Sequence, residues 1–365
     1  MSPPRMAIIE QTWTFFPGRS YAQEELSEAL PRWLDGRTLG LARQLFRRSA
    51  VARRNLVVTP EELLSIGRSF AAKNELYRQT VRDACGALSR RIAESTTEEE
   101  RDSIDLVVTA SCTGFQIPAM DATLVAALSL SPNVRRINLT QHGCAGGAAA
   151  LAIAHEWLAG HPKARALVVC VELCSLTFLP EDRSEENLVS AAIFGDGAAA
   201  VVLAGERAER LNAPAPALRL RDTFREIFAC TEHFMGFEVR DEGLKIKLSR
   251  DVVPFAERGL PDVFARALGQ FRVEGPHRIS FGAVHPGGRR VLEALEDHAR
   301  LPKTVTKTSW DTLSRHGNMS SVTVLVALDQ LLHELRPEPG ALGLVTAFGP
   351  GFCAEIGLLE TTSGR

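Results

Sequence analysis

One cysteine in the sequence is placed as a nucleophile would be. Cys144 stands in the segment Gln-His-Gly-Cys-Ala-Gly-Gly, directly before a run of small residues that predicts a helix. A thiol at a helix N-terminus meets unpaired N–H groups and the positive end of the helix dipole, which lower its pKa and can receive an oxyanion. Cysteine is also common in closely packed helices, so this segment alone is equally consistent with a packing role.

Two further residues, His285 and Asn318, would complete the chemistry of a thiol nucleophile. His285 follows a strand-like run and precedes Pro286 and two glycines, which keep the backbone extended and leave room for a ligand. Asn318 precedes another predicted helix, and a role as helix N-cap would by itself explain it. A structural role would likewise explain His285 when it is considered alone. Together, however, a thiolate, an imidazole that pairs with it and an amide that polarises a carbonyl suit acyl transfer.

The spacing of these residues indicates an internal duplication. A strand-like run ends at Cys112, and a helix begins 32 residues later at Cys144. Another strand-like run ends at His285, and a helix begins 33 residues later at Asn318. If the halves are duplicates, equivalent loops bring the four residues to one pocket.

The two halves also share an aromatic-glycine turn. Phe194 opens Phe-Gly-Asp-Gly in the first half and Phe348 opens Phe-Gly-Pro-Gly in the second, each before a strand-like run. A stretch rich in alanine, proline and charge joins the halves near residues 205–218. We therefore predict an α/β fold with an N-terminal half over residues 1–210, which carries the nucleophile, and a C-terminal half over residues 211–365.

Composition restricts the class of protein. The 365 residues are 45% hydrophobic and 24% charged, which suits a large buried core. The formal net charge is −2, without long runs of either sign, so we expect no nucleic-acid partner. Residues 22–104 have a mostly helical pattern, and strand-like and helical runs alternate from residue 105 onward.

Cysteine usage and hydropathy bear on the compartment. Seven cysteines, an odd number, are scattered along the chain without a secretory segment before them, which predicts reduced thiols and a cytoplasmic location. The longest apolar runs, 148–154 and 198–204, are too short to span a membrane. Because no Cys-x-x-Cys or His-Glu-x-x-His occurs, we expect no metal site.

A cluster of arginines on a predicted helix has two interpretations. Its members are Arg43, Arg47, Arg48, Arg53 and Arg54. They would bind the phosphates of a substrate carrier, or they would form a solvated helical face. The sequence favours neither interpretation.

The motifs as a set point to one family. They are QHGCAGG, VVCVELCSLTF and AIFGDGAAAVV, followed by FGAVHPGGRRVLEALE, SRHGNMSSVTVLVALDQLL and FGPGFCAEIGLLE. In this order, over nearly the whole chain, they resemble the type III polyketide synthases, relatives of plant chalcone synthase. The resemblance is weakest before about residue 40.

The resemblance implies a fold, a reaction and roles for residues. It implies the thiolase fold, two duplicated halves layered αβαβα, in a homodimer. Cys144 would take a starter acyl group from CoA, while His285 and Asn318 would hold the malonyl thioester as CO2 leaves. His285 would also keep Cys144 as a thiolate, and Phe194 would be a gatekeeper between the CoA tunnel and the reaction cavity. The substrates would be an acyl-CoA starter and malonyl-CoA, with no further cofactor.

The resemblance also marks a substrate pocket in which this chain departs from the plant enzymes. Ile246 stands where they have a second gatekeeper phenylalanine, Cys112 and Cys174 stand at threonine positions, and Ile117 stands where a methionine reaches toward the partner subunit. Only Arg48 keeps a basic position near the CoA mouth, since Leu41 and Gln44 replace two others. The other pocket positions that the resemblance assigns are Phe237, Ser320 and Phe348.

The pocket positions favour one product class. Small or aliphatic residues at Cys112, Cys174 and Ile246 suit an apolar tunnel, and the chain is most similar to bacterial synthases that turn fatty acyl starters into alkylpyrones or alkylresorcinols. Four alternatives stay open. They are a ketoacyl-ACP synthase III with one condensation, a type III synthase with a small or aromatic starter, a Cys-His-Asn hydrolase, and a non-catalytic scaffold.

Overall fold

The computed structural model describes residues 6–66, 69–209 and 218–362. The strands are β1 (Ala7–Phe15), β2 (Arg19–Ala22), β3 (Arg53–Leu56), β4 (Ile104–Ala110), β5 (Arg135–Leu139), β6 (Arg165–Leu173), β7 (Asp196–Gly205), β8 (Leu218–Ile227), β9 (Met235–Arg240), β10 (Gly243–Leu248), β11 (Ile279–Val284), β12 (Leu342–Gly349) and β13 (Cys353–Thr361). The helices are α1 (Gln23–Ala29), α2 (Gly36–Arg48), α3 (Pro60–Ile66), α4 (Phe70–Ser95), α5 (Glu98–Asp102), α6 (Met120–Ala127), α7 (Gly146–Gly160), α8 (Glu185–Ile193), α9 (Val252–Gln270), α10 (Arg289–Asp297), α11 (Lys303–His316) and α12 (Val322–Gln330). Short 3-10 helices cover Leu30–Arg32, Gly143–Ala145, Cys174–Thr177 and Pro276–Arg278, and a π-helix covers Leu331–Leu335.

Nine strands form one sheet, in the order β11-β12-β13-β8-β1-β7-β6-β4-β5. In the first half β4 and β6 are parallel, while β6–β7 and β7–β1 are antiparallel. The second half repeats these senses in β11–β12, β12–β13 and β13–β8. The halves meet where β1 pairs antiparallel with β8. The chain is thus built from two copies of one α/β arrangement, as the spacing of its motifs predicts.

The helices α7 and α12 form a central layer between the two halves. They share one core cluster with strand residues of both halves, among them Val108, Val168, Val201, Phe281, Ala283 and Val345. A Cβ atom on Gly147 would lie 2.2 Å from the carbonyl oxygen of Ser321, so only glycine lets the two helices approach this closely. The small residues of α7 therefore set the distance between the halves.

Outer helices cover the remaining face of each half. In the first half, residues of α4 pack on β4 and β6, where Val107 and Val169 point away from the central layer. In the second half, residues of α9, α10 and α11 pack on β12 and β13. Strands covered on both faces are apolar throughout, which explains the runs without alternation in the sequence. The resulting αβαβα layering is the predicted thiolase fold.

The region 22–104 is mostly helical, but β3 interrupts it, and Arg53 and Arg54 lie on that strand rather than on a helical face. The reason is that the backbone around Arg54 pairs with Tyr21 of β2. The predicted boundary at 210/211 lies outside the described residues and stays a prediction.

Candidate active site

Cys144 lies in the 3-10 turn Gly143–Ala145, directly before α7. Gly143 has a φ of +49°, a left-handed conformation that favours glycine. A Cβ atom on Gly349 would lie 2.6 Å from the Cβ of Ala145, so the Phe-Gly-Pro-Gly loop packs directly on the cysteine turn. The second half of the chain therefore holds the position of the cysteine in the first.

His285 follows β11 and is fully buried at 1% exposure. Its backbone N–H donates to the carbonyl of Thr346, 2.8 Å away, which extends the pairing of β11 with β12. Neither ring nitrogen has a hydrogen-bond partner within the described part of the chain. Because buried polar atoms normally find partners, a ring with two free nitrogens beside a cavity is suited to bind a substrate.

Asn318 is held through both its backbone and its side chain. Its amide Nδ2 donates to the carbonyl of Gly287 at 3.0 Å, and its Oδ1 accepts from the backbone N–H of Ser320 at 2.8 Å. Ser320 has a φ of +49°, an unfavourable conformation of the kind that clusters at functional sites. Since a primary amide carries two N–H donors, one remains for a ligand.

A single cavity of about 1370 Å³ brings these residues together. Its lining includes all but one of the site residues predicted from the sequence: Cys144, His285, Asn318, Phe194, Cys112, Cys174, Phe237, Ile246, Ser320, Phe348 and Arg48. The exception is Ile117, which is 79% exposed on the loop after β4 and does not line this cavity.

Burial dominates the ionisation of the cysteine and the histidine. It raises the pKa of the Cys144 thiol to about 12, although the Ser320 hydroxyl opposes this shift as a hydrogen-bond partner. Burial also lowers the pKa of His285 to about 3. Both shifts favour a neutral thiol and a neutral imidazole in the free site, and the thiolate that the resemblance implies stays a prediction. The loss of hydration of a buried anion outweighs the partial charge of a helix N-terminus.

Sequence reasoning missed the buried Glu172, which does not line the cavity but holds the backbone of Cys112, which does. Its carboxylate accepts hydrogen bonds from the backbone N–H of Cys112 (3.0 Å), the Thr113 hydroxyl (2.8 Å) and the Ser321 hydroxyl (2.6 Å). Burial raises the pKa of Glu172. The signal was a single acidic residue inside the apolar strand VVCVELC, because an isolated charge in a buried strand requires partners.

The arginine cluster of the sequence separates into two kinds. Arg43, Arg47 and Arg48 are exposed on α2, and of these Arg48 lines the cavity. Arg54, in contrast, is buried at 3% exposure and does not line this cavity. Other cations line the same cavity from β10, the loop before α9, and α10: Lys247, Arg250, Arg289 and Arg290.

Family profiles match most of the chain. Residues 39–207 match the N-terminal domain of chalcone and stilbene synthases, and residues 219–362 match their C-terminal domain. The chain belongs to the chalcone and stilbene synthase family. It is a type III polyketide synthase, a decarboxylative condensing acyltransferase, as the relatives described next also indicate.

The chalcone and stilbene synthase relatives include bacterial enzymes. The 1,3,6,8-tetrahydroxynaphthalene synthase of Streptomyces peucetius is 36% identical over 98% of this chain and 93% of its own. A putative chalcone synthase of Bacillus subtilis is 32% identical over 98% of this chain and 100% of its own. The crystal structure of 1,3,6,8-tetrahydroxynaphthalene synthase from Streptomyces coelicolor, a bacterial type III polyketide synthase, superposes with a TM-score of 0.89 at 29% identity, covering 98% of this chain and 100% of that one.

Two further features are absent from the part of the synthase that the structure describes. No helix in the described part of the chain has the length and hydropathy needed to cross a membrane. Within residues 6–66, 69–209 and 218–362, no group of three or more His, Cys, Asp or Glu residues is placed to hold a metal ion.

Proposed function

We propose that this type III synthase loads a long-chain fatty acyl group from CoA onto Cys144 and extends it with malonyl-CoA. The product is an alkylpyrone or alkylresorcinol. The observation that carries the proposal is the cavity of about 1370 Å³ that contains Cys144, which is larger than the roughly 300–1,000 Å³ of ordinary small-molecule pockets. Such a volume has room for an acyl chain as well as the growing polyketide.

The wall of the cavity supports an aliphatic occupant. Apolar residues of β10 and α9 line one side, namely Leu244, Ile246, Leu248, Val252, Val253, Ala256 and Leu260. Burial of each methylene group on such a surface is worth about 0.8 kcal/mol, so affinity should rise with starter length. A relative from Mycobacterium tuberculosis that is 27% identical over 97% of this chain is described as an alpha-pyrone synthesis polyketide synthase, which also supports a pyrone product.

In the loading step, the neutral pair of Cys144 and His285 acts together. The imidazole accepts the thiol proton as the sulfur attacks the starter thioester, and the tetrahedral oxyanion forms at the start of α7. The carbon–sulfur bond to CoA then breaks, and CoA leaves with the proton from His285. Because both ring nitrogens of His285 are free, the ring can receive and return this proton without breaking an existing hydrogen bond.

In the extension step, His285 and Asn318 bind the thioester carbonyl of malonyl-CoA. Loss of CO2 leaves an enolate, whose negative charge the imidazole N–H and the free amide N–H of Asn318 stabilise. The enolate carbon attacks the acyl group on Cys144, the bond to sulfur breaks, and the released thiolate takes up a proton from solvent through His285, since its first proton left with CoA. The extended chain is then carried on CoA and can return to Cys144 for the next round.

We also propose the substrates, the oligomeric state and the cellular location of the synthase. CoA thioesters are the only substrates, with no additional cofactor, and Arg48 contacts the CoA phosphates at the mouth of the cavity. The synthase is a homodimer, supported by the exposed apolar side chains Phe115 and Ile117 on one loop. A cytoplasmic location is supported by the seven cysteines, all unpaired.

Product analysis tests the proposal. Purified enzyme receives malonyl-CoA with acyl-CoA starters from acetyl to palmitoyl, and products are identified by mass spectrometry. Cys144→Ala is the blank, and Cys230→Ala, which removes an exposed cysteine, is the matched control. We expect pyrones or resorcinols that carry the starter's alkyl chain, with kcat/KM at least about tenfold higher for C8 and longer starters than for acetyl-CoA.

Other results would replace this proposal. A single β-ketoacyl product would indicate one condensation, as in a ketoacyl-ACP synthase III. A polyphenol that lacks the added starter would favour the second candidate, synthesis of a fused-ring compound, to which the 36% identity with a tetrahydroxynaphthalene synthase points. Thioester loss without malonyl-CoA would indicate a hydrolase.

A further inference from the structure

Arg54 is a buried cation that the reaction described above does not use. It lies on β3 with 3% exposure, between the turn after α8 and the turn before α12. A Cβ atom on Gly195 would lie 3.1 Å from the Arg54 Cβ, and one on Gly317 would lie 3.5 Å from the same atom. The side chain therefore packs between the two glycine turns that carry Phe194 and Asn318.

The guanidinium group binds two carbonyls at the C-terminal end of α8. Nη1 donates to the carbonyl of Phe194 at 2.8 Å, and Nη2 donates to the carbonyl of Ala191 at 2.5 Å. The last carbonyls of a helix lack helical partners and carry partial negative charge, so a cation is well placed there. The guanidinium is planar and rigid, so its bond to the Ala191 carbonyl fixes its orientation. Its bond to the Phe194 carbonyl then sets both the distance and the direction of that carbonyl.

Asp196 connects the surroundings of Arg54 to Cys174, which lines the cavity. Asp196, which attracts Arg54 electrostatically, accepts hydrogen bonds from the backbone N–H of Val57 and from the N–H of Ser175, both at 2.8 Å. Ser175 is the neighbour of Cys174. Burial lowers the pKa of Arg54 only to about 9, so the guanidinium is charged at neutral pH.

The side-chain hydrogen bonds of Arg54 reach one part of the site, while its guanidinium also lies over the Phe46 ring of α2, 5.4 Å from the ring centre. The backbone of Phe194 is joined to the backbone of Asn318. Because Arg54 holds the Phe194 carbonyl, it also supports the position of the Asn318 side-chain amide. Among the described residues, no hydrogen bond or ion pair links Arg54 to the Cys144 turn, which packs on the Phe-Gly-Pro-Gly loop instead. Loss of Arg54 should therefore disturb Phe194 and Asn318 and leave Cys144 in place.

We infer that Arg54 is a positioning residue that sets the place of Phe194 and Asn318 for chain extension, without a part in starter loading. The inference rests on the proposed function, because it assigns extension to Asn318 and loading to Cys144. It also explains why the side chain is an arginine, since the two carbonyls lie where a fork-shaped donor reaches both.

The test measures the two steps separately in Arg54→Met, which keeps the length of the side chain and removes its donors. Loading is followed by the rate of acyl transfer to Cys144 without malonyl-CoA, using intact mass. Extension is followed by kcat for malonyl-CoA consumption. We expect extension to fall by about tenfold or more, because misplacement of a reacting group by as much as 1 Å costs about a hundredfold, while loading stays within about threefold. The matched control is Arg53→Met, on the same strand but exposed, which should change neither rate.

A second variant keeps the proposal testable if Arg54→Met does not fold. Arg54→Lys retains the charge but reaches one carbonyl at a time, so we expect the same division between the steps with a smaller fall in extension, about threefold. Equal losses in both steps, or no loss in a folded variant of either kind, would overturn the inference. Failure of the proposed function looks different, because the wild-type enzyme itself would then form no alkylpyrone or alkylresorcinol from a long-chain starter.

Discussion

The backbones of Phe194 and Asn318 are joined by an isolated parallel β-bridge. The N–H of Gly195 donates to the carbonyl of Asn318 at 2.9 Å, and the N–H of Asn318 donates to the carbonyl of Ile193 at 2.8 Å. A residue from the first half of the chain and one from the second thus form a single unit. A change that moves the backbone of Phe194 is therefore transmitted to the backbone of Asn318, whose amide lines the same cavity as Cys144.

Removal of the Asn318 amide should affect extension and spare loading. In Asn318→Ala the donor that stabilises the enolate is lost, and removal of one such donor typically costs about 10²–10³ in kcat. The measurement compares malonyl-CoA decarboxylation with acylation of Cys144, and the exposed Asn133→Ala serves as control. An unchanged decarboxylation rate would show that Asn318 has only a structural role.

The reactivity of Cys144 should report a neutral thiol. Because burial raises the pKa of Cys144 to about 12, the thiolate fraction of the free enzyme rises about tenfold per pH unit from pH 6 to 9. Iodoacetamide labelling of the Cys144 peptide, read by mass spectrometry at several pH values, should follow that slope without a plateau. A plateau near neutral pH would instead reveal a thiolate–imidazolium pair in the free site.

His285 should make the enzyme less stable in acid. Its folded pKa, about 3, lies below the ordinary value of 6.5, so the unfolded chain takes up a proton first as the pH falls. The stability is therefore fully present above pH 6.5 and is lost progressively below it, by about 3 kcal/mol at pH 4. Urea unfolding between pH 4 and 8 should show a shallower acid loss in His285→Gln than in the wild type. Identical pH profiles would contradict this account.

Gly349 should be intolerant of even one added methyl group. In Gly349→Ala the new Cβ would lie 2.6 Å from the Ala145 Cβ and 2.7 Å from the His142 carbonyl oxygen, so the Cys144 turn must move. We expect kcat to fall by about 10- to 100-fold, since small displacements of a reacting group are costly. The control is Gly160→Ala, where nothing lies within 4 Å of the new atom. If both variants keep full activity, contact with this loop does not position the nucleophile.

Much of this architecture could be read from the sequence because it depends on local pattern. The matched intervals from Cys112 to Cys144 and from His285 to Asn318 reflect two copies of one strand-to-helix arrangement, and the topology of the sheet repeats accordingly. Small residues in α7 indicated close packing, which Gly147 confirms by its approach to α12. Such features are encoded within a few dozen neighbouring residues.

The rest could not be read because it depends on contacts between distant segments. Arg54 looked like one more cation in an arginine cluster, yet its partners, the carbonyls of Ala191 and Phe194, lie about 140 residues away. The pKa of Cys144 depends on distant segments in the same way. A helix N-terminus is visible in sequence, but the burial that outweighs it arises only when both halves close over the cavity.

Ile246 should set the length of the starter. It is 7% exposed and lines the cavity from β10, where the resemblance to plant enzymes places an aromatic gatekeeper. In Ile246→Phe the larger ring fills volume that an acyl chain would occupy, and overpacking of this kind costs about 1–3 kcal/mol. We therefore expect kcat/KM for palmitoyl-CoA to fall about tenfold while that for acetyl-CoA changes little. Ile246→Val, which leaves the cavity open, is the control, and equal losses for both starters would mean that Ile246 affects the fold of the site rather than starter length.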